Sequence, residues 1–288
     1  MANKVGIFGL GLIGIALADR LLSAGHTVHG FDVDAKRAEF LKARGGKPVG
    51  AADLWSCDIV LSAVFSTDQL RDIIEGAPDG TGTVLVTMST CDPDEVAELA
   101  ITAKDKAITL VEAPISGTSK QVQQGTALLL LGGDPVGLDA FEKIADAISP
   151  NRERVGGIGA GNKTKLAINC ILGLNRAAMA EGLVFAQALG LDAETFLQTA
   201  QRSAAHSNVM AAKGPLMVAR DFTPLGRITQ SKKDFALIRE MASRHGYGQL
   251  PMVGRYLEMM QNAQEAGQGD LDNSAVLLAV ERMAKDTP

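Results

Sequence analysis

The chain has 288 residues, of which 46% are hydrophobic and 21% charged, an ordinary globular composition with length enough for two domains, each with its own core. A formal net charge of −5 without any run of Lys and Arg excludes a polyanion-binding surface, so no nucleic-acid partner is expected. Three scattered cysteines, Cys57, Cys91 and Cys170, exclude a disulfide framework and lack metal-ligand spacing, so no metal is expected and a reducing, cytoplasmic compartment is.

The apolar opening from Val5 to Ala18 carries four glycines and no strongly basic leader. It is shorter than the ~20 residues of a membrane span, and no membrane association is expected. Up to about residue 155, short apolar runs alternate with amphipathic stretches. Strands are predicted at Lys4–Phe8, Thr27–Phe31, Ile59–Ala63, Thr83–Thr87, Ile108–Glu112 and Ala127–Leu131. Helices are predicted at Leu12–Ser23, Ala35–Ala43, Asp68–Ile74, Pro93–Ala103 and Pro135–Ala147. Strict alternation of this kind predicts a doubly wound α/β domain, a parallel sheet covered on both faces. Beyond Gly161 the pattern changes. From Asn162 to about Leu189 apolar residues occupy nearly every helical face. A helix of that length, roughly 40 Å, requires burial by a second domain or a partner subunit. The rest reads as helices at Ala193–Ser203, Asn208–Ala219, Gly226–Arg244, Met252–Ala266 and Ser274–Ala284. Breaks are expected at Pro215, Pro224, Gly246–Gly248 and Gly267–Gly269, with Asp272 capping the last helix. The predicted organisation is an α/β domain over residues 1–161 and an all-α domain over 162–288, joined by the long helix.

Gly9-Leu10-Gly11-Leu12-Ile13-Gly14 matches GxGxxG, directly after an apolar strand and at the start of an amphipathic helix. Gly9 allows the tight turn, Gly11 lets a pyrophosphate approach the backbone, and Gly14 lets helix and strand pack closely. The first-turn N–H groups of the helix then bind the phosphates. The second strand ends at Asp32, eighteen residues after Gly14, where a carboxylate accepts from ribose hydroxyls and repels a 2′-phosphate. No Arg follows it at once, the next basic residues being Lys36 and Arg37. The domain is thus predicted to be a Rossmann fold binding NAD rather than NADP.

Two further segments carry chemistry. Glu112-Ala113-Pro114-Ile115-Ser116-Gly117-Thr118-Ser119 follows the fifth strand, and in an open parallel sheet ligands sit beyond the carboxyl ends of strands. Its small hydroxylated residues and glycine can donate to a carboxylate, or it is simply a polar loop. Gly159-Ala160-Gly161-Asn162-Lys163-Thr164-Lys165-Leu166-Ala167-Ile168-Asn169 opens the long helix. Lys165 and Asn169, four apart, share one face of an otherwise apolar helix, a costly arrangement to bury without a purpose. An ammonium there can serve as acid or base, whereas Lys163 points elsewhere, to solvent. Ser231-Lys232-Lys233-Asp234 reads by itself as a solvated charged face.

In this order and spacing, the segments resemble the β-hydroxyacid dehydrogenase family, which includes 3-hydroxyisobutyrate dehydrogenases, over nearly the whole chain. The resemblance implies that Gly9, Leu10, Gly11, Leu12, Ile13, Gly14 and Asp32 contact the dinucleotide, and that Val64 and Phe65 occupy a Leu-Pro position beside it. It places Thr90 near the nicotinamide, Ser116, Gly117 and Thr118 at the substrate carboxylate, Lys165 at the catalytic lysine, and Asn169 at an asparagine orienting substrate and lysine. Lys233 and Asp234 match a Lys-Asp pair that closes over the cofactor, which reverses the solvated reading of that segment. It implies a homodimer or homotetramer and a small carboxylate-bearing substrate.

Several positions depart from the family pattern. The usual Asp-Ala-Pro-Val-Ser-Gly-Gly is here Glu112-Ala-Pro-Ile-Ser-Gly-Thr118, and Ile13 replaces a Met. Gly226 lies where some relatives place an aromatic residue, and His206-Ser207-Asn208 falls in another variable segment. These changes suggest a polar or larger substrate than 3-hydroxyisobutyrate. The implied reaction is hydride transfer between NAD and a 3-hydroxy acid with Lys165 as general acid/base. Rivals are a succinic semialdehyde or glyoxylate-type reductase and a threonate-like sugar-acid dehydrogenase. A decarboxylating phosphogluconate-type enzyme would have a much longer helical domain. A non-catalytic NAD-binding scaffold should have lost the lysine.

Overall fold

The computed structural model describes residues 2–285. The chain divides into two compact units, the first ending at Lys165 and the second beginning at Leu166, within the long helix.

The first unit runs β1 (Lys4–Phe8), α1 (Leu12–Ser23), β2 (Thr27–Phe31), α2 (Ala35–Ala43), β3 (Lys47–Pro48), β4 (Ile59–Ser62), α3 (Thr67–Glu75), β5 (Val84–Thr87), α4 (Pro93–Asp105), β6 (Thr109–Glu112), β7 (Ile115–Ser116), α5 (Ser119–Gln123), β8 (Leu128–Gly133), α6 (Pro135–Ile148) and β9 (Arg152–Gly156). The sheet order is β3-β2-β1-β4-β5-β6-β8-β7, with β9 on β8. From β3 to β6 every pairing is parallel, in the order of a doubly wound dinucleotide-binding sheet. Its direction of winding reverses between β1 and β4, which opens a crevice at their carboxyl ends. Adjacent residues on the central strands enter opposite cores: Leu61, Val86 and Val111 join one apolar cluster, Val60, Leu85 and Leu110 the other. Hence these strands are apolar throughout instead of alternating.

The fully parallel sheet expected from strand–helix alternation is not what forms. β8 runs antiparallel to β6 and β7. A parallel return needs a connection that carries the chain back along the strand. The five residues of α5 rise only about 7.5 Å, against roughly 20 Å for a six-residue strand. The short pieces β3, β7, α5 and β9 carry no periodic signal of their own, and the sequence reading omits them.

The long helix α7 (Ala160–Ala188) continues into the second unit, followed by α8 (Ala193–Gln201), α9 (Asn208–Ala219), α10 (Ile228–Arg244), α11 (Pro251–Glu265) and α12 (Val276–Lys285). Its core includes Leu183, Phe235, Ile238, Tyr256 and Met260. The Phe235 and Tyr256 rings lie 4.1 Å apart, and a side chain at Gly173 of α7 would collide with Phe235. The break expected at Pro215 does not occur: α9 runs through it. Proline forfeits one helical hydrogen bond there, but the Ser207 cap and the buried Met210 and Met217 on either side hold the helix. Asp272 caps the short turn Asn273–Ala275 leading into α12 and also pairs with Lys213. Among the described residues, no helix is long and apolar enough to cross a membrane.

Candidate active site

The turn after β1 has the geometry its glycines imply. Gly9 adopts φ +85°, and a Cβ there would stand 2.6 Å from the Ala63 carbonyl oxygen. A Cβ on Gly14 would collide with the Gly9 carbonyl. At Gly11, the N-cap of α1, the nearest atom to an added Cβ is an Arg37 guanidinium nitrogen at 3.7 Å, so the backbone is open to a ligand. No side chain caps α1. Its first N–H groups are thus left to an anion, and the turn fits a dinucleotide pyrophosphate. Leu12 is exposed at this end, whereas the Leu10 side chain is buried and only its N–H faces the turn, donating to Asp32 Oδ2 at 2.7 Å. Ile13 is partly buried against the core.

The Asp32 side chain is 4% exposed and accepts from Asp34 N as well as Leu10 N. It also accepts from Arg37, 3.2 Å away. No Arg follows Asp32 directly in the sequence, yet the fold brings Arg37 onto it. Asp34 caps α2, and the first turn of that helix folds Arg37 back over the end of β2. Five residues of linear separation become a direct ion pair.

Val64 and Phe65 follow β4. Val64 O accepts from Ser89 Oγ at 2.7 Å, and Phe65 N donates to Gln69 Oε1. Thr90 is half-buried in the loop after β5. In the loop after β6, Ser116 ends β7 and Thr118 caps α5. The Gln121 side chain returns to this loop, its Oε1 accepting from Thr118 N at 2.8 Å and from Thr118 Oγ at 3.2 Å. A Cβ on Gly117 would stand 3.3 Å from the same oxygen. An amide oxygen of the protein thus occupies donors the sequence assigns to a substrate carboxylate. Gln121 carries no sequence signal beyond the Thr-x-x-Gln spacing of a capping box.

Lys165 is 7% exposed, one turn into α7, while Lys163 is exposed. The turn that carries it is fixed by a residue the sequence reading treats only as a family substitution. Glu112, at the end of β6, is fully buried and accepts from Gly159 N, Gly161 N, Asn162 N and Asn162 Nδ2. Burial pushes its pKa up, against the downward pull of these donors.

The second unit carries the remaining predicted residues. Asn169 Nδ2 donates to Asp234 Oδ2 at 3.0 Å, Gln230 Nε2 donates to Oδ1, and Lys233 Nζ lies 3.2 Å from Oδ1. Asp234 is buried on α10, so the segment is not a simple solvated face. His206 is exposed, and its neighbour Ser207 is engaged as the cap of α9.

Comparison with known proteins places this geometry. Residues 4–157 match the family described as the NAD binding domain of 6-phosphogluconate dehydrogenase, and residues 159–280 that described as NAD-binding of NADP-dependent 3-hydroxyisobutyrate dehydrogenase. The chain is 30% identical to 2-(hydroxymethyl)glutarate dehydrogenase of Eubacterium barkeri, across 97% of this chain and 95% of that one. It is 28% identical to L-threonate dehydrogenase of Cupriavidus necator, covering 96% of each. The crystal structure of 3-hydroxyisobutyrate dehydrogenase from Salmonella typhimurium superposes with a TM-score of 0.86 at 25% identity, over 96% of this chain and 99% of that one. With a Rossmann unit, an all-helical unit and the connecting helix arranged in family order, the chain belongs to the β-hydroxyacid dehydrogenases, the oxidoreductases related to 3-hydroxyisobutyrate dehydrogenase.

Proposed function

We propose that this dehydrogenase oxidises the hydroxyl of a small 3-hydroxy acid, with NAD as the preferred coenzyme and Lys165 as the proton-transfer group. The observation that carries the reading is the burial of Lys165 on the first turns of α7, next in sequence to a turn bound to the end of β6. A lysine sheltered in this way is placed for proton transfer to a substrate held beside it. The coenzyme, when bound, supplies the hydride acceptor. In its neutral amine form Lys165 Nζ takes the hydroxyl proton during oxidation, becoming the ammonium that returns it during reduction. Ser116, Gly117 and Thr118 anchor the substrate carboxylate, which displaces the Gln121 amide oxygen from Thr118. Asn169 and Asp234 act as a unit, because a hydrogen bond joins them. Val64, Phe65, Thr90, Lys233 and Asp234 are assigned to the coenzyme by family resemblance.

NAD preference rests on the Asp32 carboxylate at the end of β2. Arg37 beside it offsets part of the repulsion a 2′-phosphate would meet, so the preference is graded rather than absolute. The polar Thr118–Gln121 pair and the similarity to an L-threonate dehydrogenase favour, as a second reading, a hydroxylated sugar acid as substrate.

Following NADH formation over a panel of 3-hydroxy and sugar acids, with both coenzymes, tests the reading. Lys165→Ala should lower kcat by about 10³-fold, the scale of general acid–base catalysis, with NADH affinity little changed. Turnover near wild type in that variant would refute the assignment.

A further inference from the structure

Among the described residues no titratable group pairs with Glu112, which has no exposed surface and accepts four hydrogen bonds at the end of β6. Its Oε2 accepts from Gly159 N at 2.5 Å and Gly161 N at 3.3 Å, its Oε1 from Asn162 N at 3.0 Å and Asn162 Nδ2 at 2.6 Å. All four partners are donors, which is the environment an ionised carboxylate requires, at the end of α7 where a negative charge is favoured. The space is kept for it: a Cβ at Gly132 would stand 2.9 Å from Oε2, and one at Gly161 would stand 2.9 Å from the Glu112 Cβ. Asn162 is fully buried too, and its other amide atom, Oδ1, accepts from Cys91 N at 2.7 Å. One carboxylate and one amide therefore join the loop after β5, the end of β6 and the first turn of α7. Those segments carry Thr90, the Ser116–Thr118 loop and Lys165.

We infer that Glu112 is a positioning residue, whose carboxylate acts with Asn162 to hold the first turn of α7 against the loop after β5 and so sets the place of Lys165. The inference rests on the assignment of proton transfer to Lys165. Asn162 lies three residues before Lys165, under one helical turn. A shift of the turn is transmitted directly to Nζ, and a misplacement of about 1 Å at a reacting group costs on the order of 100-fold in rate.

The test compares Glu112→Gln, Glu112→Asp and Asn162→Ala by kcat, KM, NADH affinity from fluorescence, thermal melting, and the isotope effect on kcat with substrate deuterated at the reacting carbon. Glutamine keeps the shape but turns an N–H₂ group toward N–H donors. Glu112→Gln should lose about 100-fold in kcat with little change in NADH affinity, and its isotope effect should rise as the chemical step becomes limiting. Glu112→Asp, which keeps the charge on a shorter stem, should recover about tenfold of that loss, and Asn162→Ala should lose about tenfold. A folded Glu112→Gln enzyme with near wild-type kcat overturns the inference. So does a loss of activity matched by weaker NADH binding at an unchanged isotope effect. If Glu112→Gln does not fold, Asn162→Ala decides, and full kcat in that variant overturns it. Lys165→Ala separates the two claims: if it stays active the proton-transfer assignment fails, whereas if it is inactive and Glu112→Gln is not, only the positioning role fails.

Discussion

At the end of β2 the coenzyme question comes down to two side chains. Asp32 is held by two backbone N–H groups and is in place whether or not Arg37 moves, while Arg37 is half-exposed and also lies 3.6 Å from Asp34. A guanidinium so placed can leave Asp32 for a 2′-phosphate at small cost, since exposed ion pairs contribute little. Arg37→Ala should therefore lower kcat/KM with NADP about tenfold relative to that with NAD, the worth of one charge-assisted hydrogen bond of ~1.5 kcal/mol. Steady-state kinetics with both coenzymes measures the ratio, and an unchanged ratio would show that Arg37 never serves the phosphate. The turn built on Gly9, Gly11 and Gly14 and the buried place of Lys165 are legible in the sequence because each follows from a local spacing. Glu112, Gln121 and Arg37 are not: their partners are separated by turns or by some fifty residues of chain, and apart from the Thr118-x-x-Gln121 capping spacing none forms a motif.

Among the elements, the long helix and the six longer apolar strands β1, β2, β4, β5, β6 and β8 are read from the sequence with ends within a few residues, whereas α9 shows tertiary packing overriding a proline. The link from α9 to the turn before α12 is a buried ion pair, Lys213 Nζ to the two Asp272 oxygens at 2.7 and 2.8 Å. Asp272 also accepts from Leu225 N, Gly226 N and Ser274 N. Burial alone would raise the Asp272 pKa, but the Lys213 ammonium and the Ser274 groups outweigh it and hold the carboxyl below its usual range. A carboxyl depressed in the folded state contributes stability above its unfolded value, ~3.9, and loses it as pH falls through the folded value below that. Asp272→Asn leaves Lys213 buried without its counter-charge and should cost about 3–5 kcal/mol. Urea unfolding at neutral pH checks this. The difference between variant and wild type should shrink in strong acid, where Asp272 is protonated in both states.

For the whole molecule, the apolar faces of α7 are only partly covered by its own chain. Ile171 and Phe185 are each 64% exposed and Leu189 is 62% exposed, and a groove of about 380 Å³ lined by Val184, Phe185, Met259 and Met283 lies along the second half of the helix. We propose that a second copy of the chain covers this face, since exposed apolar side chains gathered along one helix mark an interaction surface. The wild type should then elute as a dimer or larger in size-exclusion chromatography with light scattering, and Phe185→Glu with Leu189→Glu should give monomer. A monomeric wild type would dismiss the proposal. The sequence by itself determined the fold class, the coenzyme turn and the long helix, because helix period, strand runs and GxGxxG spacing are properties of contiguous residues. Only the tertiary structure decided the reversed direction of β8, the Arg37–Asp32 pair, the Gln121 oxygen on Thr118 and the buried Glu112–Asn162 link. The β8 reversal and the Glu112–Asn162 link depend on which groups meet across the closed sheet, and the Arg37 and Gln121 contacts on how a turn folds a side chain back, and neither leaves a periodic trace in the chain.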